Sequence, residues 1–218
     1  EVLGLHMPTS LIGVTLAGVP SVTIDDVLAG QIATQHLINL GHTRIGVITG
    51  APIDAPYTAE HDRYRGFQQA MAGAGLAVDP MLEAYGYFTI AGGEQAMTAL
   101  LTQKVPPSAV FAMSDEMAFG AMKSSLKTKR SSCWCDMKAM RSHGLQPGKD
   151  ISLIGIDGHD MSEFLDLTTV VQPVQDLGRI AAEALVLQLR TPGGEVSADS
   201  IRLPTQLIVR GSTSPMRD

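Results

Sequence analysis

Aromatic residues are scarce: Phe, Tyr and Trp together make up 5% of the 218-residue chain. That scarcity disfavours a sandwich built on Tyr and Trp, and the abundance of Ala, Gly, Leu, Val and Ile suits alternating helices and buried strands. Cysteine is nearly missing. Cys133 and Cys135 stand one residue apart, too close for an unstrained disulfide and without a Cys or His nearby at metal-ligand spacing. They read as thiols of a reduced compartment. The N-terminal stretch Glu1–Met7 has neither a basic flank nor a long apolar run, so a leader and a membrane span are both unexpected, and the cytoplasm is the expected location. The acidic residues form no block, and the net charge is −6. A chain that grips a nucleic-acid backbone needs clustered Lys and Arg, so this portion is not expected to do so. Nor is there a Gly-x-Gly-x-x-Gly at a strand–helix turn, a P-loop, or a nucleophile with its base in a motif. No catalytic residue, cofactor or metal is therefore expected.

What is present is 44% hydrophobic residues over a length that buries a substantial core. Short apolar runs alternate with amphipathic ones. Ser10–Gly13 and Ser21–Ile24 read as strands, and a helix follows from Asp26 to Leu40. Asp25 is placed to cap that helix, and Gly41 stands where a left-handed residue ends it. Arg44–Thr49 reads as a buried strand, Thr58–Ala74 as a helix, Leu82–Tyr87 as a strand and Ala91–Gln103 as a helix. Then come a strand at Ala109–Met113, a helix opening at Ser114 or Asp115, and a strand at Ile151–Ile156. Pro173 suits a first helical position, and the next helix carries an apolar stripe of Leu177, Ile180, Ala181, Ala184 and Leu185. Thr191–Gly194 breaks it, and 200–203 and 205–210 are strand-like. This alternation predicts α/β architecture with parallel sheets, whose ligands sit beyond the carboxyl ends of the strands.

Several stretches, in order, carry a resemblance. They are Val22–Asp26 with Gly30, His36–Ile45, Arg63-Tyr-Arg-Gly-Phe67, Pro107–Asp115 with Ala118 and Gly120, Asp150–Asp157, Leu167–Pro173 and Leu203–Thr213. Together they resemble the LacI/GalR family of bacterial transcription regulators over most of residues 20–213. The resemblance implies a periplasmic-binding-protein-like fold of type I: two parallel-sheet α/β subdomains joined by three crossovers, near Asp25, Gln172 and Leu203, with the effector between them. Residues 26–171 plus 204–218 would form the C-terminal subdomain. Residues 1–24 plus 173–203 would form a partial N-terminal subdomain, incomplete because the family's first strands and its DNA-binding helix-turn-helix precede Glu1.

The same resemblance nominates ligand-binding residues. Arg63 matches an effector-contacting arginine, whose planar fork holds a carboxylate or paired hydroxyls; a solvated helix arginine is the plainer reading. Asp157, at a strand's carboxyl end, would accept from hydroxyls or N–H groups, or serve a turn with Gly158. Phe88 would stack on a flat ligand or fill the core. Ser114 offers a hydroxyl or a helix cap. Gln172 lies at a crossover, and Tyr57 and Asp54 line a loop. Two departures from the family stand out: Gly13 where an acidic residue is common, and the fifteen residues Ser124–Lys138, inserted on a helix that relatives use for dimerisation. The expected function is an effector-binding and dimerisation module of a ligand-responsive regulator, a homodimer that binds a sugar or related metabolite and reaches operator DNA through the upstream head. The alternative is a periplasmic sugar-binding protein of a transport system.

Overall fold

The computed structural model describes residues 7–51, 59–123, 145–190 and 200–216. In chain order its elements are β1 (Leu11–Ile12), β2 (Ser21–Ile24), α1 (Asp26–Asn39), β3 (Ile45–Thr49), α2 (Ala59–Gly73), β4 (Glu83–Tyr85), α3 (Ile90–Leu101), β5 (Ala109–Ala112) and α4 (Asp115–Lys123), then β6 (Ser152–Asp157), α5 (Met161–Phe164), β7 (Thr168–Val171), α6 (Val174–Arg190), β8 (Ser200–Leu203) and β9 (Gln206–Ile208). Among the described residues no helix is long and apolar enough to cross a membrane. The chain divides into two compact units, Glu1–Asp25 with Gln172–Thr205 and Asp26–Val171 with Gln206–Asp218, so it passes from one to the other three times.

The larger unit is built on a six-stranded sheet of order β4-β3-β5-β6-β7-β9. Its strands are parallel except β9, which runs antiparallel to β7, with Val171 opposite Gln206 and Thr169 opposite Ile208. Every residue of β3 and β5 is buried, as a parallel strand covered on both faces requires. The parallel sheet expected from the sequence is present, with one antiparallel strand added at this edge. Having returned from the smaller unit, the chain needs no crossover helix to add an antiparallel strand.

Helices pair as α1 with α2 and α3 with α4. Right-handed crossovers put the pairs on opposite faces, because the chain steps from β3 out to β4 and then back past β3 to β5. That reversal makes the gap between the carboxyl ends of β3 and β5 the switch point at which an open α/β sheet offers a crevice.

The α1–α2 pair owes its closeness to two glycines. A Cβ on Gly30 would stand 2.1 Å from the Arg63 carbonyl oxygen, and one on Gly66 would stand 2.1 Å from that of Val27. Helix α1 then ends as its sequence predicts. Gly41 adopts φ +89°; its N–H donates to the Ile38 carbonyl (2.9 Å) and that of His42 to the Leu37 carbonyl (3.2 Å), the pairing of a glycine-terminated helix.

Next to that turn, His42 is 4% exposed. Its Nε2 meets Ser152 Oγ at 2.9 Å and the Ser214 carbonyl at 3.0 Å, and its Nδ1 meets Ser108 Oγ at 3.0 Å. The carbonyl can only accept, so Nε2 carries a proton and the neutral ring is fully satisfied. The C-terminal segment is stitched into the same region. The Leu153 N–H donates to the Ser212 carbonyl (2.8 Å), Ser212 Oγ accepts from the Thr168 N–H (2.8 Å) and donates to the Leu153 carbonyl (2.6 Å), and the Ser214 N–H donates to Ser152 Oγ (3.0 Å).

The smaller unit has a three-stranded parallel sheet of order β1-β2-β8, against which α6 packs. Leu177 and Ala181 are the buried centre of the expected stripe, with Ile180, Ala184 and Leu185 half-buried beside them. The Gln188 side-chain amide pairs with Thr9 as a strand would, accepting from its N–H (3.0 Å) and donating to its carbonyl (2.8 Å). Arg202 Nη1 donates to Asp25 Oδ2 at 3.1 Å, which ties the residue before α1 to β8.

The strand expected over Leu82–Tyr87 is shorter. Pro80–Leu82 forms a 3₁₀ turn capped by Asp79, whose Oδ1 accepts from the Met81 N–H at 3.0 Å. After Tyr85 the chain turns through Gly86 into two left-handed residues, Tyr87 and Phe88, both at φ +52°. Helix α5 was not expected, since four residues are too few to show a period.

Two measurable consequences follow from the packing. Gly30→Ala drives a methyl into backbone that has no rotamer to yield, and should cost about 3 kcal/mol in urea unfolding. Burial holds the pKa of His42 below its ordinary 6.5, and burial followed by the neighbouring His42 does the same for His36. A group with a depressed folded pKa binds fewer protons folded than unfolded, so its contribution is complete above 6.5 and is lost below it. The urea midpoint should fall as pH drops below about 6.5, and His42→Gln should flatten that fall.

Candidate functional site

Arg63 is carried by α2 one turn from the glycine crossing, and it is 7% exposed. A guanidinium that deep needs acceptors, and it has them from three elements. Nε donates to Asp26 Oδ1 of α1 at 2.8 Å, and Nη1 donates to the Met113 carbonyl beyond β5 at 2.6 Å. Nη1 also lies 3.4 Å from Asp157 Oδ1 at the end of β6. Nη2 makes no hydrogen bond among the described residues. The solvated-arginine reading is therefore corrected: Arg63 is a buried tie across the switch point of the sheet.

Asp157 is 28% exposed in its side chain, so it reaches the surface of the crevice while touching Arg63. Its backbone is left-handed, φ +138°, a conformation that costs a non-glycine residue on the order of 1–3 kcal/mol. Its Oδ2 lies 3.4 Å from the Asp115 N–H, so the turn role and the exposed carboxylate coexist. Asp26 and Asp157 thus both stand beside Arg63.

Phe88 is 46% exposed, so it is not a core residue. Its ring lies over Gly50 at the carboxyl end of β3, where a Cβ would stand 1.9 Å from the ring. Glycine at 50 and the left-handed backbone at 87–88 together lay a flat apolar face beside the switch point. Ser114 is 3% exposed and its Oγ accepts from the Met117 N–H at 3.3 Å, which makes it the cap of α4. Gln172 opens the second segment of the smaller unit. Tyr57 and Asp54 lie outside the described residues, as do Cys133, Cys135 and the Ser124–Lys138 insertion. Gly13 is exposed at φ +74°, just past β1.

Three participants escape a reading of the sequence: Asp26, the Met113 carbonyl and Asp115. Asp26 looks like one more acidic residue in a helix's first turn. The signal that marks it is indirect, the glycines at 30 and 66 that let α1 and α2 touch. Asp115 is wholly buried, 0% exposed, and its four hydrogen bonds reach residues that follow it by more than forty positions.

A cation, carboxylates and an aromatic ring thus stand at the carboxyl ends of a parallel α/β sheet, the place at which such sheets offer a crevice for ligands. Residues 9–208 match the family described as periplasmic binding proteins and sugar binding domain of LacI family. The chain belongs to that family, as an effector-binding domain of the LacI/GalR type. It is 39% identical over 196 residues to the HTH-type transcriptional repressor CytR of Escherichia coli K12, covering 89% of this chain and 52% of the relative. It is 35% identical over 190 residues to the ribose operon repressor of the same organism, covering 86% and 52%. Thus the chain spans about half the length of the curated relatives it matches. Among solved structures, a LacI family transcriptional regulator from Enterococcus faecium with bound ribose superposes with a TM-score of 0.81 at 28% identity, covering 96% of this chain and 72% of that one.

Replacing Arg63 with Met keeps bulk but takes the cation from beside Asp26 and Asp157. Breaking a buried pair from one side costs about 3–5 kcal/mol, and urea unfolding should show a loss of that size. Arg65→Met, at a half-exposed position on the same helix, should cost less than about 1 kcal/mol.

Proposed function

We propose that this chain is the effector-binding module of a ligand-responsive transcriptional regulator, and that its ligand is a neutral, polyhydroxylated molecule of pentose type. The observation that carries this reading is the Arg63 cluster at the switch point, where the guanidinium is countered by Asp26 and Asp157 at 2.8 and 3.4 Å. A negative ligand would meet the two carboxylates that already hold the guanidinium. A neutral polyol would instead donate hydroxyl hydrogens to Asp157 and accept from Arg63 Nη2. Phe88 supplies the flat face against which the C–H side of a sugar ring packs.

The relatives point the same way: one is a ribose operon repressor and one structural neighbour holds ribose. Both named relatives are repressors, which favours the regulator over a transport protein. In that role the protein works as a homodimer in the cytoplasm, and effector occupancy reaches operator-bound heads through the three chain crossings. Binding stabilises the ligand-competent state, and the difference in affinity between states sets the size of the response. No chemical step is involved.

D-ribose at a hundred times its Kd should add about 2.7 kcal/mol to stability, a rise of several degrees in thermal denaturation. Ribose 5-phosphate should give none, because its phosphate meets the carboxylates of Asp26 and Asp157. Arg63→Met and Asp157→Asn should each abolish the ribose response. Wild-type-like ribose binding by both variants would refute the site, and tighter binding of the phosphate than of ribose would refute the neutral-ligand assignment.

A further inference from the structure

Asp115 opens α4 with a side chain that is wholly buried, 0% exposed. Its Oδ2 accepts from the Gly158 N–H at 3.0 Å, the His159 N–H at 2.8 Å and Ser162 Oγ at 2.7 Å. Its Oδ1 accepts from Thr169 Oγ1 at 2.7 Å. All four partners are donors, matching a carboxylate that offers acceptors alone; two of them lie in the loop that begins directly after Asp157, and a third, Ser162, lies in α5. The tie is reciprocal, for the Asp115 N–H reaches back to Asp157 Oδ2 at 3.4 Å. Room for the carboxylate is kept by Gly155, where a Cβ would stand 2.2 Å from Oδ1.

We infer that Asp115 is the positioning residue of the effector site, the clamp that holds residues 158–162 so that Asp157 is kept in its left-handed conformation with Oδ1 turned to Arg63. Asp157 at φ +138° would relax without such a constraint. No side-chain atom of Asp115 needs to touch a ligand for this. Its four donors come from the loop after β6, from α5 and from β7, so one buried group sets the shape of the whole carboxyl end beside the crevice. The inference rests on the ligand reading above for its functional meaning, and not for its structural content.

The test is Asp115→Asn, which keeps the shape but turns one acceptor into a donor, with Thr169→Val as a milder variant that removes one donor to Asp115 and the longer second acceptor of the Gly158 N–H (3.3 Å), while both loop amides keep Asp115. Amide hydrogen exchange is read at Gly158 and His159 and, as an internal reference, along β3 and β5. In Asp115→Asn the two loop amides should exchange at least about tenfold faster while β3 and β5 keep their protection. D-ribose affinity measured by calorimetry should fall at least about tenfold. Thr169→Val should move both in the same direction by less. Unchanged exchange at Gly158 and His159 in both variants overturns the clamp, and so does an equal rise at β3 and β5, which would mark general destabilisation. A loosened loop with unaltered ribose affinity overturns the positioning role. Should the wild-type protein fail to bind D-ribose, the pentose assignment falls, while the exchange comparison still decides the clamp.

Discussion

A buried guanidinium is tolerated only where the backbone and side chains around it supply acceptors, and the larger unit is arranged around that demand at Arg63. The acceptors come from the start of α1, the exit of β5 and the exit of β6. For the first to be within reach, α1 and α2 must cross with their backbones in contact, which Gly30 and Gly66 permit. For the last, Asp157 must hold a backbone angle that favours glycine. The ion pair and the unusual backbone are therefore two sides of one constraint. The local cost at Asp157 is offset because the turn is over-determined by its neighbours.

The two carboxylates beside Arg63 also bear on chemistry. Arginine by itself suggests an anion, because its fork fits carboxylate and phosphate. Placed beside two aspartates, its fork already has carboxylate partners within the fold. The residue type alone does not decide what the site takes; its company does. Phe88 adds an apolar plane with no charge of its own, held over a residue that has no side chain to compete with it.

Much of this was legible in the sequence, and the reasons for the rest are physical. Alternating apolar runs locate β3, β5, β6 and the helices between them because buried parallel strands are apolar along their whole length. Gly41 marks a helix end because its role is local. The turn at Tyr87–Phe88 leaves no such mark, since neither residue favours left-handed backbone, and the reading of a strand through Tyr87 followed from their β-prone side chains. Strand β9 falls within the strand-like stretch 205–210, but its antiparallel direction does not show there, because direction depends on the path the chain takes through the smaller unit and not on the residues of the strand. Arg63 and Asp157 are brought together as neighbouring groups, but Asp26 and Asp115, which hold them, show nothing in sequence beyond a helix's acidic first turn. Burial of those two carboxylates is a property of the packed fold.

The larger unit is not one continuous piece of chain. Its edge strand β9 and the Ser212–Ser214 segment, which stitches β6, β7 and His42 together, follow the whole of α6 and β8. On the ribosome, residues 26–171 therefore emerge with an open sheet edge beside β7 and with His42 and Ser152 short of the Ser214 partners they have in the finished fold. That half-built sheet has to wait while the intervening segment is synthesised, and an uncovered strand edge is a place where chains pair with one another. Slow translation or premature arrest before Ser214 thus exposes this protein to aggregation at one identifiable edge, a vulnerability created by the order of its strands along the chain.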